Sequence, residues 1–408
     1  MAMLDFRQPQ SAGNEGPPGV QIPSRGSERI PFNLHAVAGG EIATISDALS
    51  RGDLTGAGYY SRRCEEWFAS ELDAARTFLT PSCTHSLEMA AMLLGLAPGD
   101  EVIVPSFTFV STASAFALHG ATVVFVDIRR DTMNIDESKI EAAITPRTRA
   151  IVPVHYAGVA CEMDVILELA ARYRLKVIED AAQAVFATYK GRPLGSIGDF
   201  GAFSFHATKN FTSGGEGGMT IVADPANAPA AEIIRDKGTN RSRFYRGEID
   251  RYNWVALGSS MLMNEVSAAC LWAQLQARNA IQARRHALYG RYADAFSDLV
   301  SAGRIEVQQI PASAGHNAHL FYIKLRDFEE RAALIGYLDA RGIQATFHYV
   351  PLHSSPAGRL YGRFSENDIN TTRESERLLR LPLYPSLEDH QQDRVIEAVH
   401  SFFGRVTP

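Results

Sequence analysis

Between about residues 76 and 225 the chain alternates short β-rich runs with helical patterns, and that alternation leaves few architectures open. Residues 101–104, 123–126, 150–154, 177–178, 203–205 and 220–223 read as strands. Helical periodicity falls between them, at 85–95 and at 164–173, where Val165, Leu169 and Tyr173 share one face. Strand and helix in turn make βαβ units, whose parallel strands need a crossover and are covered on both faces. Ligands of such sheets bind beyond the carboxyl ends of the strands. The residues just after each strand are therefore the candidates for chemistry.

The rest of the chain reads differently. A long helical pattern runs from about 264 to 300, followed by a strand at 318–325, a helix at 328–341 with Gly342 as its C-cap, and a strand at 343–350. A helix near 389–403 closes the chain. The expected organisation is a large α/β domain over 29–263 and, over 264–408, a connecting helix with a smaller α+β domain. Residues 1–28, rich in Gly, Pro, Ser and Gln, read as a disordered extension. A length of 408 residues is ample for two such units. The net charge of −6 argues against a nucleic-acid or anionic-membrane partner, which would call for a basic surplus. Four cysteines without a CxxC pair fit neither a disulfide framework nor a zinc ribbon, so no metal is expected. No apolar run reaches the length of a membrane span, and a cytoplasmic location is expected.

Four strand ends carry candidate chemistry. Ser82, Cys83 and Thr84 precede an amphipathic helix, where free backbone N–H groups and the positive dipole end suit a phosphate; ordinary N-capping explains them equally well. Asp180 ends the apolar strand 177–180 beside Glu179, placed to hold a proton on a heterocyclic nitrogen or to cap a helix. Lys209 follows the aromatic strand Phe203-Ser204-Phe205 and enters the glycine-rich loop Ser213–Met219, which could lie against a flat ligand or make a tight turn. Only six of the 40 basic residues are lysines, which makes a lysine in this place conspicuous. Burial can lower a lysine pKa until the neutral amine serves as nucleophile or base. The set, with an aromatic at Phe107 after strand 101–104, matches what pyridoxal phosphate requires: a phosphate cradle, an acid for the ring nitrogen and an amine for the aldehyde.

The run EDAAQAVFATYKGRPLGSIGDFGAFSFHATKNFTSGGEGG resembles the signature of the DegT/StrS family of nucleotide-sugar aminotransferases. Further resemblance lies in LTPSCTHSLEMAAMLLGLAPGDEVI, PSFTFVSTASAF, VPVHYAGVACEMD, KGTNRSRFYRG and FHYVPLHSSPAG, and it extends from about Ile30 to the C-terminus. It implies fold type I, the aspartate-aminotransferase-like architecture of a large, mostly parallel sheet domain with a smaller C-terminal one. It implies that Lys209 holds the aldehyde of pyridoxal 5'-phosphate and Asp180 pairs with the pyridine nitrogen. Ser82, Cys83, Thr84 and Ser204 would surround the phosphate, Phe107 would stack on the ring, and Gln183 would lie near its phenolic edge. A neighbouring subunit of a homodimer would contribute Ser260, with Ser in place of the family's usual Asn and Leu262 in place of a basic residue, giving a weaker phosphate contact across subunits. Arg241, Arg243, Tyr245, His348, Tyr349 and His353 are the candidate contacts to the sugar and its diphosphate.

The implied reaction moves the amino group of L-glutamate to the C4 ketone of a dTDP-4-keto-6-deoxyhexose, giving a galacto-configured product and 2-oxoglutarate. Competing readings are amination at C3 or of another nucleotide sugar, a dehydratase on the same scaffold, and a non-catalytic cofactor-binding regulator. The related dehydratases carry a histidine at the place of Lys209, and the presence of Lys209, Asp180 and Ser204 together disfavours a regulator.

Overall fold

The computed structural model describes residues 29–405; the expected disordered extension at 1–28 lies outside the described residues. Seven strands follow one another through the large unit: β1 (Arg76–Thr80), β2 (Glu101–Pro105), β3 (Thr122–Val126), β4 (Thr148–Ile151), β5 (Lys176–Asp180), β6 (Phe200–Ser204) and β7 (Gly218–Val222). With an edge strand at Gly362–Phe364 they form an eight-stranded sheet in the order β1-β7-β6-β5-β4-β2-β3-edge. β7 runs antiparallel to β1 and β6, and the remaining pairs are parallel.

Strands buried on both faces explain why these runs read as continuous apolar stretches. Successive side chains alternate between two cores. Leu79, Ile103, Val124, Ile151, Val177 and Phe203 face one side, with residues of the helices Tyr59–Leu72, Met163–Tyr173 and Glu265–Gln276. Phe78, Val102, Val123, Ala150, Ile178 and Ala202 face the other, with residues of Cys83–Leu94, Val110–Ala117 and Ala228–Arg235.

The smaller unit packs the antiparallel strands Glu306–Val307, Phe321–Lys324 and Leu378–Leu381 with helices Arg278–Ala295, Phe328–Asp339 and Asp389–Arg405 around Leu288, Tyr292, Ile323, Leu334 and Val395. No helix among the described residues is long and apolar enough to cross a membrane.

Three local expectations change. The helical pattern of 264–300 breaks at Ala277 and Phe296 into Glu265–Gln276, Arg278–Ala295 and Ser297–Ser301. Its first piece belongs to the large core, and the Glu265 carboxylate accepts the amides of Gly58, Tyr60 and Ser61 at the start of helix Tyr59–Leu72. The large unit thus takes in residues beyond 263, and it also recovers Gly362–Phe364 as its edge strand.

Residues 343–350 form no strand. Ile343 and Thr346 make single bridges to Ile30 and Arg380, and the residues after them turn toward the cavity described below. The helix expected to stop at Gly342 ends at Asp339; Gly342 follows in the left-handed region at φ 71°, its amide donating to the Asp339 carbonyl at 2.9 Å.

Candidate active site

The carboxyl ends of β1, β5 and β6 open into a cavity of about 630 Å³. Its register is set by β7: Gly218 pairs with Thr80 on one side and Ser204 on the other, bringing those two strand ends together. A Cβ at Gly218 would lie 2.3 Å from the Ser82 carbonyl carbon and 2.4 Å from the Cys83 nitrogen, so only glycine admits the start of helix Cys83–Leu94 at this depth. Ser82 caps that helix, its Oγ accepting the His85 amide at 3.3 Å. The amides of Cys83 and Thr84, in the first turn, have no partner within the helix. Together with Ser204 they make a cradle for an anion at the positive end of the helix dipole.

Glu179 and Asp180 have separate duties. Glu179 is fully buried and accepts the amides of Gly195, Ile197 and Gly198 at 2.8, 2.6 and 2.7 Å, with His155 Nε2 at 2.9 Å. Because His155 Nδ1 accepts the Cys161 amide, its Nε2 carries the proton and donates to Glu179. Asp180, on the opposite face, lines the cavity; Thr112 Oγ1 donates to its Oδ2 at 2.6 Å and the Ala182 amide to its Oδ1 at 3.1 Å.

Lys209 also lines the cavity and is half-buried. Desolvation holds its ammonium below the ordinary lysine value, Arg380 adding to the depression and Asp180 opposing it. The neutral amine is therefore available at lower pH than in a solvated lysine.

Gln183 ties the large unit to the small one. Its Oε1 accepts the Ala157 amide at 2.6 Å and its Nε2 donates to the Tyr349 hydroxyl at 2.8 Å. Tyr349 stacks on His348 with ring centroids 3.6 Å apart, and His348 Nδ1 is 2.7 Å from the Tyr156 hydroxyl. Burial drives the Tyr349 hydroxyl pKa up and the His348 pKa down, so both stay neutral near pH 7.

The structure gathers Ser82, Cys83, Thr84, Asp180, Gln183, Ser204, Lys209, His348 and Tyr349 onto this one cavity. It does not bring the others. Phe107, 1% exposed, packs edge-on against Tyr156 and Tyr349 at 5.1 and 5.4 Å, while Phe109, 56% exposed, lines the cavity. His353 lies behind the wall, bonded to Ser106 Oγ at 2.6 Å and facing Asp368 at 3.3 Å. Arg241 and Arg243 sit on the short helix Arg241–Tyr245 and are paired with Asp236 and Glu248. Tyr245 and Ser260 are exposed, away from the cavity of their own chain.

Thr112, His319 and Arg380 belong to the site without having been singled out in the sequence. Asn210 Oδ1 accepts from His319 Nδ1 at 2.9 Å, leaving Nε2 as a free acceptor, and burial keeps this imidazole neutral. Thr112 lies inside a helix and the other two in the small unit, so no local motif marks them.

The two phenylalanines separate by experiment. Phe107→Ala is expected to cost about 3–5 kcal/mol of stability through the cavity it leaves. Phe109→Ala should cost under about 1 kcal/mol while weakening cofactor retention, and calorimetric melting with dialysis against buffer checks both.

A mixed sheet covered on both faces, with anion cradle, carboxylate and lysine at its carboxyl edge, places the chain among the pyridoxal phosphate-dependent transferases of aspartate-aminotransferase architecture. Comparison with known proteins narrows the class. Residues 37–400 match the profile of the DegT/DnrJ/EryC1/StrS aminotransferase family, and the chain belongs to that family. It is 37% identical over 378 residues to the spore coat polysaccharide biosynthesis protein SpsC of Bacillus subtilis (strain 168), covering 91% of this chain and 96% of that protein. DesV of S. venezuelae superposes with a TM-score of 0.83 at 32% identity, covering 93% of this chain and 100% of that one. Spr1654 of Streptococcus pneumoniae in its PLP form gives a TM-score of 0.85 at 29% identity, covering 93% and 100%. The chain is a pyridoxal phosphate-dependent sugar aminotransferase. The cradle that a side chain at position 218 would fill, the carboxylate of Asp180 and the depressed amine of Lys209 fit that cofactor.

Proposed function

We propose that the enzyme transfers the amino group of L-glutamate to the C4 ketone of a dTDP-4-keto-6-deoxyhexose, giving the galacto-configured 4-amino sugar, and that it works as a homodimer. The observation that carries the reading is the convergence of Lys209, Asp180 and the Ser82–Thr84 turn on one cavity that is closed from the small unit by His348 and Tyr349. When bound, pyridoxal phosphate supplies an aldehyde that takes up an amino group and a ring that withdraws electron density from the neighbouring carbon.

The chain's own residues do the rest. The Cys83 and Thr84 amides and Ser204 would hold the phosphate. Asp180, fixed by Thr112 and the Ala182 amide, would hold the proton on the ring nitrogen. Lys209 Nζ would be the amine that holds the aldehyde and the base that moves the donor's α-proton, and desolvation lowers its pKa in the direction that frees the neutral amine. Gln183, Tyr349 and His348 line one wall and would present hydroxyl and imidazole groups to sugar oxygens.

A homodimer would cover the exposed apolar side chains of Trp254 and Leu257, at 75% and 76% exposure, and would carry Ser260 toward a neighbouring site.

Incubation with dTDP-4-keto-6-deoxyglucose and L-glutamate, followed by NMR of the product, tests the substrate. An axial C4 amine is the expected result; no turnover rejects the substrate, and another isomer corrects the regiochemistry or stereochemistry. Sedimentation of the active species as a monomer would reject the dimer.

A further inference from the structure

Arg380 pairs with no carboxylate among the described residues. It projects from the strand Leu378–Leu381 into the cavity that holds Lys209. One Nη2 proton goes to the Phe347 carbonyl at 2.8 Å, the guanidinium lies 4.6 Å from the Phe32 ring centroid, and Nε is buried with no hydrogen-bond partner. Among the buried arginines, Arg235 pairs with Glu65 and Arg377 with Glu306 and Glu374, while Arg285 and Arg331 donate to backbone carbonyls; none of these lines the cavity, whereas Arg380 does. The cavity's own acids do not serve Arg380. Asp180 is held by Thr112 and Ala182, and Glu216 faces His206 at 3.5 Å. A half-buried guanidinium without a counter-ion is unfavourable, and an anion entering the cavity relieves it.

We propose that Arg380 is the specificity residue for the amino donor, binding its α-carboxylate through the N–H groups left uncommitted in the cavity. The inference rests on the donor reading given above and adds the residue that recognises it. Two anions could come here, a carboxylate of the amino acid or the diphosphate of the nucleotide sugar. Position favours the carboxylate, because Arg380 lines the same cavity as Lys209 and is bonded to the Phe347 carbonyl, next to His348 and Tyr349. An α-carboxylate is one bond from the carbon that bears the reacting amine, whereas the diphosphate is separated from C4 by the pyranose ring. Planar N–H donors also match a carboxylate edge to edge.

The test uses the cofactor-loaded full chain with Arg380→Gln and Arg380→Lys. Conversion of the cofactor by L-glutamate is followed spectroscopically in a single turnover, and binding of 2-oxoglutarate and of dTDP is measured by calorimetry. In R380Q the glutamate concentration for half-maximal rate should rise at least about 30-fold, 2-oxoglutarate should weaken in parallel, and dTDP should stay within about twofold. R380K should lie between the two. If R380Q does not retain cofactor, R380K carries the test, with a several-fold loss for glutamate and none for dTDP. An unchanged glutamate dependence, a loss confined to dTDP, or equal losses on both would overturn the assignment. Failure of the unaltered enzyme to react with any amino acid would overturn the donor reading along with it. Conversion by the unaltered enzyme that R380Q leaves untouched would overturn only the role of Arg380.

Discussion

Lys209→Ala is expected to lower transamination by more than about 10⁴-fold, because on the proposed reading one side chain would serve both as the amine that holds the aldehyde and as the base that moves the α-proton. The other lysines do not substitute for it. Lys139 is committed to Asp127, Lys176 to Asp199, Lys190 to Asp164, and Lys324 to Glu374 with its amine against the Arg130 carbonyl. Lys237 faces Asp236 at 3.9 Å, also outside the cavity lining. Borohydride treatment should fix cofactor to the unaltered protein and not to the variant. A reducible lysine adduct in Lys209→Ala would reject the assignment. Thermal stability should be retained or raised, since the substitution removes a half-buried amine whose charged form is disfavoured by desolvation.

Asp180→Asn should cost about 10³-fold in turnover, the order expected when a preorganised charge is lost from an active site. The substitution is nearly isosteric, and the amide oxygen can still accept from Thr112, now at 2.6 Å from Oδ2 of the acid. Loss of fold is therefore not the expected cause. The deficit should appear in the glutamate half-reaction measured alone, with cofactor still bound, and the spectrum of the bound cofactor should report a ring nitrogen that has lost its proton. A variant within threefold of the unaltered enzyme, about 0.65 kcal/mol in barrier, would show that the charge is not used.

Neighbouring positions illustrate what could be read from the chain and what could not. Glu179 and Asp180 are adjacent carboxylates, and strand alternation sends them to opposite faces. That alternation is legible, and so is the location of Asp180 at a strand end. The partner that orients Asp180, Thr112, comes from a helix on another crossover and carries no local mark. Phe107 and Phe109 show the converse problem. Both follow β2 and both are aromatic, and only the packing of Phe107 against Tyr156 and Tyr349 leaves the cavity to Phe109. Residues 343–350 read as a strand. Instead their backbone pairs only at Ile343 and Thr346, and residues 346–350 line the cavity.

What the chain determined alone was the alternating α/β plan, the strand ends at Ser82, Asp180 and Lys209, and the family those motifs resemble. These depend on period, on turn chemistry and on the rule that ligands sit at the carboxyl edge, all of which act over a few residues. The tertiary structure decided which neighbours turn those positions into one site. The antiparallel insertion of β7 draws Thr80 and Ser204 together around Gly218. The return of the small unit over the cavity brings His319, His348, Tyr349 and Arg380 to Lys209. Such contacts join residues far apart in the chain, and their placement follows from how two cores pack against each other, which no local pattern encodes.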